Sequence, residues 1–176
     1  MNVGGASGRD LLKSHHSENL RLNRLTERPA TFFITKSLHP KKQILEPATR
    51  ELIVSTLEFS IREKGICLRA FVIMPDHWHA LFALREPWTL PKFMHAMMSF
   101  VAAKTSALLK THQISWQDGY YDTRVKTAKQ FAYITHYIEQ NPVSRGLVDL
   151  SVQWKASSAN RTDLVTDPWP WIIDEE

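Results

Sequence analysis

The residues with the plainest chemical potential are two histidines separated by one position, His77-Trp78-His79. The run that carries them, HWHALFAL, reads as a β-strand, and alternate side chains of a strand share a face. Both imidazoles can therefore reach one metal ion, while Trp78 turns to the other face with Ala80 and Phe82. The competing reading is a pair of surface histidines on a half-exposed strand, and His-x-His alone leaves both open. Ala80, Leu81 and Phe82 follow, rather than the Asp-His of binuclear zinc hydrolases, which counts against that class.

Two histidines leave a metal site incomplete, and a helix further along offers a completion. Tyr137 and Asn141 are four apart, hence stacked on one helix face, with Tyr133 one turn earlier. They flank the apolar stripe of Phe131, Ile134 and Ile138, so their row can face a cleft while the stripe faces a core. An amphipathic tyrosine at a core boundary and an asparagine capping the helix end would give the same pattern. Lys104 falls on the apolar side of an earlier helix, where its head either reaches a phosphate or snorkels to water. Arg124 and Lys126, ahead of the tyrosine helix, suit contacts to a nucleic-acid strand, and Trp116, Tyr120 and Tyr121 can stack on unpaired bases. Packing roles compete for each of these. Cys67, among Ile66, Leu68 and Phe71, reads as a small buried hydrophobe rather than a nucleophile.

The elements that must position these groups follow from periodicity. TFFITKSL, from Thr31, is short, β-branched and aromatic, as a strand should be. Residues 47–64 open with Pro47, repeat Ile53, Leu57 and Ile61, and stop at Gly65, which predicts a helix. ICLRAFVIM and HWHALFAL, separated by Pro75 and Asp76, predict a hairpin. A second helix is expected over 91–110, with Phe93, Met97, Val101 and Leu108 along one side. WQDGYYDTRV reads as a loop with a short strand. A third helix is expected over 127–140 and limited by Pro142. The fold class is α+β: a ferredoxin-like, split βαβ antiparallel sheet with helices packed on one face. Residues 1–28, including His15 and His16, read as a flexible basic arm, 29–148 as the folded domain, and 149–176 as a surface tail. That plan hosts many functions and does not decide the chemistry.

The formal net charge is +4, which favours acidic partners without proving one. The lone cysteine excludes an internal disulfide framework, and no stretch is long and apolar enough for a membrane span or a secretory signal. A cytoplasmic setting is the expectation.

VIMPDHWHALF at 72–82, taken with YIEQNPVSRGLV at 137–148, resembles the paired signature of the REP-associated tyrosine transposases, HUH-type single-strand DNA transposases and nucleases. WQDGYYDTRV and VQWKASS resemble two further motifs of that family, so the resemblance spans about 31–158 in the right order. NPVSRGLV departs from it by placing its arginine one position later than relatives often do. The resemblance implies that His77 and His79 bind a divalent metal, Mg²⁺ or Mn²⁺, that Asn141 supplies a third ligand, and that Tyr137 is the nucleophile. It further implies metal-dependent cleavage and rejoining of single-stranded DNA near REP-like hairpins, through a 5′-phosphotyrosine. Two other readings stand beside it: a domesticated, non-cleaving hairpin-binding protein with a regulatory role, and a plain metal-binding domain. Whether the protein works as a monomer or a dimer is not legible in the residues.

Overall fold

The computed structural model describes residues 30–39, 44–109 and 114–167. The basic arm expected over 1–28, with His15 and His16, and the terminal WPWIIDEE lie outside the described residues. In chain order the elements are β1 (Thr31–Ser37), α1 (Pro47–Lys64), β2 (Cys67–Ile73), β3 (His77–Ala83), α2 (Leu90–Leu109), β4 (Tyr121–Val125) and α3 (Ala128–Ser144). Two short 3₁₀ turns follow, at Ser151–Gln153 and Thr162–Leu164. The four strands form one antiparallel sheet in the order β2-β3-β1-β4, which matches the expected α+β, ferredoxin-like class.

The sheet is covered on both sides. Phe32 and Ile34 of β1, Leu68, Phe71 and Ile73 of β2, and Trp78, Ala80 and Phe82 of β3 face α1 and α2. Phe82 meets Phe93 of α2 with ring centroids 5.2 Å apart. The alternate set, Phe33, Ala70, Val72 and Leu81, packs against Ile134 and Ile138 of α3. A one-residue bulge between Leu68 and Ala70 lets Leu68 and Phe71, three apart, serve the same face. All seven residues of β3 are buried, as they must be in an inner strand with two covered faces.

The expectation of helices on one face is therefore corrected: α1 and α2 share a face, and α3 lies on the other. The cause is that β1, β2 and β3 are apolar at both parities, so each side of the sheet needs its own cover.

α1 begins at Pro47 and ends on Gly65, left-handed at φ 63°, as its sequence predicts. Phe93, Met97 and Val101 line the buried side of α2; the side chain of Leu108 is outside the described residues. α3 runs through Pro142 to Ser144 instead of stopping near 140. Pro142 sits in its last turn, where only one intrahelical bond is lost. Gly146, at φ 65°, closes the helix: its N–H reaches the Val143 carbonyl, and the Leu147 N–H reaches the Pro142 carbonyl. This paired C-terminal closure satisfies the last carbonyls and needs a residue that tolerates positive φ.

The segment expected as a surface tail is packed as far as the described chain runs. Ala156, Ser157, Ser158 and Leu164 are buried. The Ile73 N–H donates to the Ala156 carbonyl, the Ser158 N–H to Phe71, and the Thr166 N–H to Leu68. The chain thus satisfies the outer edge of β2, which would otherwise present unpaired backbone groups. The Trp154 indole N–H donates to the Ile73 carbonyl at 3.0 Å, and the Arg50 guanidinium lies over its ring.

Candidate active site

β3 carries the two histidines on the face that α3 covers. His77 pairs across the sheet with Ser37, and His79 with Thr35. Their rings are 4.6 Å apart, centroid to centroid. His77 Nδ1 is 2.6 Å from the Asp76 carboxylate, which only accepts, so Nδ1 carries the proton and Nε2 keeps its lone pair. His79 Nδ1 is 2.8 Å from Thr35 Oγ1. Each ring thus has its Nδ1 fixed by a neighbour, the arrangement in which Nε2 serves as a metal ligand.

Burial lowers the pKa of both rings. For His77 the burial outweighs the opposing effect of Asp76. His79 is brought down to about 3 by burial first and then by the charge of His77. Both are therefore neutral at neutral pH, the state metal ligation requires.

α3 brings Tyr137 to the same place. Its phenolic oxygen is 3.5 Å from His79 Nε2, and its ring stands edge-on to Phe33 at 6.3 Å. Burial raises the tyrosine's pKa, while a hydrogen bond from the Asn141 amide and the charge of Arg145 lower it. Asn141 is buried one turn beyond, and its Oδ1 has no hydrogen-bond partner. An unmatched buried carbonyl oxygen costs about 1–3 kcal/mol, and a cation would offset that cost. The donor set of two imidazoles and an orphaned amide oxygen therefore fits a divalent metal. Among the described residues no three His, Cys, Asp or Glu side chains come together as a metal-ligating cluster.

A cleft of about 510 Å³ opens over these groups, lined by Thr35, Ser37, His39, Asp76, His77, His79, Gln117, Tyr137 and Arg145 among others. The structure thus brings His77, His79 and Tyr137 together within one chain, with Asn141 beside them. Thr35, Gln117, Arg145 and Asp76 are not among the expected site residues, although all of them stand within segments read above. Thr35 and Gln117 enter through strand pairing and a loop. Arg145 enters through the α3 closure, and Asp76 through the hairpin turn, where a carboxylate next to a candidate ligand was the one available clue.

The expected nucleic-acid contacts are scattered. Lys104 is exposed, its ammonium 5.7 Å from the Phe100 ring, on a helix across the sheet from the histidines. Seven residues fall about 20° short of two full helical turns, and Thr105 takes the buried position instead. Arg124 pairs with Phe32 and shares its face, away from the cleft. Trp116 and Tyr120 pack against the core beneath α1 and α2. Tyr121 pairs with Thr35 on the histidine face and is exposed, and Lys126 is exposed at the start of the turn into α3.

The family described as Transposase IS200 like matches residues 33–141, from the middle of β1 to Asn141. The chain belongs to this transposase family. It is also similar to the REP-associated tyrosine transposase of Escherichia coli (strain K12), at 24% identity over 136 residues, covering 74% of this chain and 77% of that one. A solved structure of a REP-associated tyrosine transposase bound to a REP hairpin superposes with a TM-score of 0.61 at 19% identity, over 84% of this chain and 88% of that chain. At that identity the likeness establishes a shared fold. The stretch matching the IS200-like transposases contains both histidines, Tyr137 and Asn141. Among the described residues no helix is long and apolar enough to cross a membrane.

Proposed function

We propose that this transposase-family protein cleaves and rejoins single-stranded DNA beside a hairpin, with Tyr137 as nucleophile. The observation that carries this reading is the tyrosine hydroxyl 3.5 Å from His79 Nε2, at a cleft shared with His77. His77, His79 and Asn141 would hold a divalent metal, Mg²⁺ or Mn²⁺, which when bound neutralises phosphate charge and favours in-line attack. Tyr137 Oη forms a bond to phosphorus as the bond to the 3′ oxygen breaks. The phenolic proton is released, and the leaving oxygen takes up a proton as a 3′-OH. The product is a 5′-phosphotyrosine, which conserves the phosphoester bond for attack by another 3′-OH. The Asn141 amide favours the phenolate by donating to its oxygen. The hairpin is proposed as part of the substrate by likeness to the hairpin-bound relative.

Covalent trapping tests this. Wild type, Tyr137→Phe and His77→Ala are incubated with hairpin oligonucleotides carrying single-stranded flanks, in Mg²⁺ or Mn²⁺. A denaturation-resistant adduct in wild type alone is the expected result. An adduct that persists in Tyr137→Phe moves the nucleophile elsewhere. No adduct, with hairpin binding by all three proteins, favours the non-cleaving regulator.

A further inference from the structure

Arg145 lies at the mouth of the cleft, with its backbone set by the left-handed turn at Gly146 that closes α3. Its side chain lines the same cavity as Tyr137 and His77. Among the described residues Arg145 forms no ion pair, whereas Arg161, for example, is engaged by Glu58 and Asp163. An exposed guanidinium without a carboxylate, beside a hydroxyl placed for attack, is a ready receiver for an anion. Its fork of N–H donors matches two non-bridging phosphate oxygens at once, which a lysine ammonium does not reproduce.

We infer that Arg145 grips the phosphodiester seated against Tyr137, taking its non-bridging oxygens from the side of the cleft formed by the α3 closure. The inference rests on the proposed DNA-processing function and adds to it the residue that seats the phosphate. The positive charge of Arg145 is felt at His77, His79 and Tyr137, consistent with its guanidinium facing the place they share.

Binding in a Tyr137→Phe background separates this inference from the cleavage reading. A labelled hairpin oligonucleotide with a single-stranded flank is titrated over a range of salt concentrations, with each flank phosphate replaced in turn by a neutral methylphosphonate. Adding Arg145→Gln should weaken binding about 10-fold, and adding Arg145→Lys should recover part of that loss. The slope of log K against log salt should fall by about 0.7, the value for one phosphate contact on a single strand. One methylphosphonate position should weaken binding by the arginine-bearing protein and have a clearly smaller effect in Arg145→Gln. That position should coincide with the phosphate captured in the wild-type adduct. An unchanged salt slope, or coupling to a phosphate other than the captured one, overturns the inference. Coupling to one phosphate without any wild-type adduct supports the Arg145 contact and rejects the cleavage reading alone. Equal melting temperatures of the two backgrounds exclude misfolding as the cause.

Discussion

At the scale of single residues, the site depends on imidazoles kept neutral by burial and held by their Nδ1 atoms. That has a consequence for acid stability. In the unfolded chain each histidine titrates near 6.5, whereas in the fold both values are lowered, His79 to about 3. Between those limits the unfolded state binds protons that the folded state refuses. Stability is therefore fully present above about pH 6.5 and falls as the pH drops from there towards 3. Urea unfolding at a series of pH values, with a chelator present, should show this fall, and His79→Gln should flatten it between pH 6.5 and 5. A slope identical in the two proteins would show that His79 is protonated in the fold. Asn141 supplies a second test at this scale. Asn141→Leu should reduce Mn²⁺ affinity about 10- to 100-fold by calorimetry, and Asn141→Asp should raise it, because a carboxylate is the stronger hard ligand. Undiminished affinity in Asn141→Leu would remove that oxygen from the ligand set.

At the scale of elements, a buried cation fixes one wall of the cleft. Lys36 is 7% exposed, and its ammonium donates to the carbonyls of Gln117 and Gly119, the latter at 2.6 Å. Burial lowers its pKa, with the charge of Asp118 opposing. Backbone bonds from Gln117 to Ser37 and from His39 to Ser115 tie the same loop to the end of β1. Lys36→Met keeps much of the side chain's length and removes its donors, so the carbonyls lose their partner while the histidine strand is untouched. The expected outcome is weaker binding of single-stranded DNA with unchanged Mn²⁺ affinity, and unchanged binding would sink the role. Neither this latch nor the approach of Thr35 to His79 could be read from local sequence, because both are made by residues more than 40 positions apart. The hairpin was legible, since a turn with proline in its second position and period-two strands are local signals. The extent of α3 was not, because the rule against a helical residue before proline yields when the chain gains a satisfied C-terminal closure at Gly146.

At the scale of the whole molecule, the histidine face exists only because the sheet is covered twice. The clue was present in β2 and β3, whose apolar residues at both parities leave neither face fit for water. The segment after α3 gave no such clue, since it docks through backbone hydrogen bonds and a few side chains instead of a periodic stripe. Trp154 is its main anchor: it packs beside both cores, bonds the Ile73 carbonyl, and sits under Arg50. It also braces the end of β2 where the chain turns through Asp76 to His77. Trp154→Ala removes a half-buried indole and a hydrogen bond, a loss of about 2 kcal/mol on the scale of such truncations. For a chain of this size that corresponds to a fall in melting temperature of about 4–8 °C. Trp154→Phe should recover the packing share of that loss without the hydrogen bond. If the segment is integral to the domain, amide exchange along Phe71–Ile73 should quicken in Trp154→Ala, while β4 remains protected. An unchanged melting temperature and unchanged exchange at β2 would mean that the segment rests on the domain without supporting it, and the expectation of a surface tail would return.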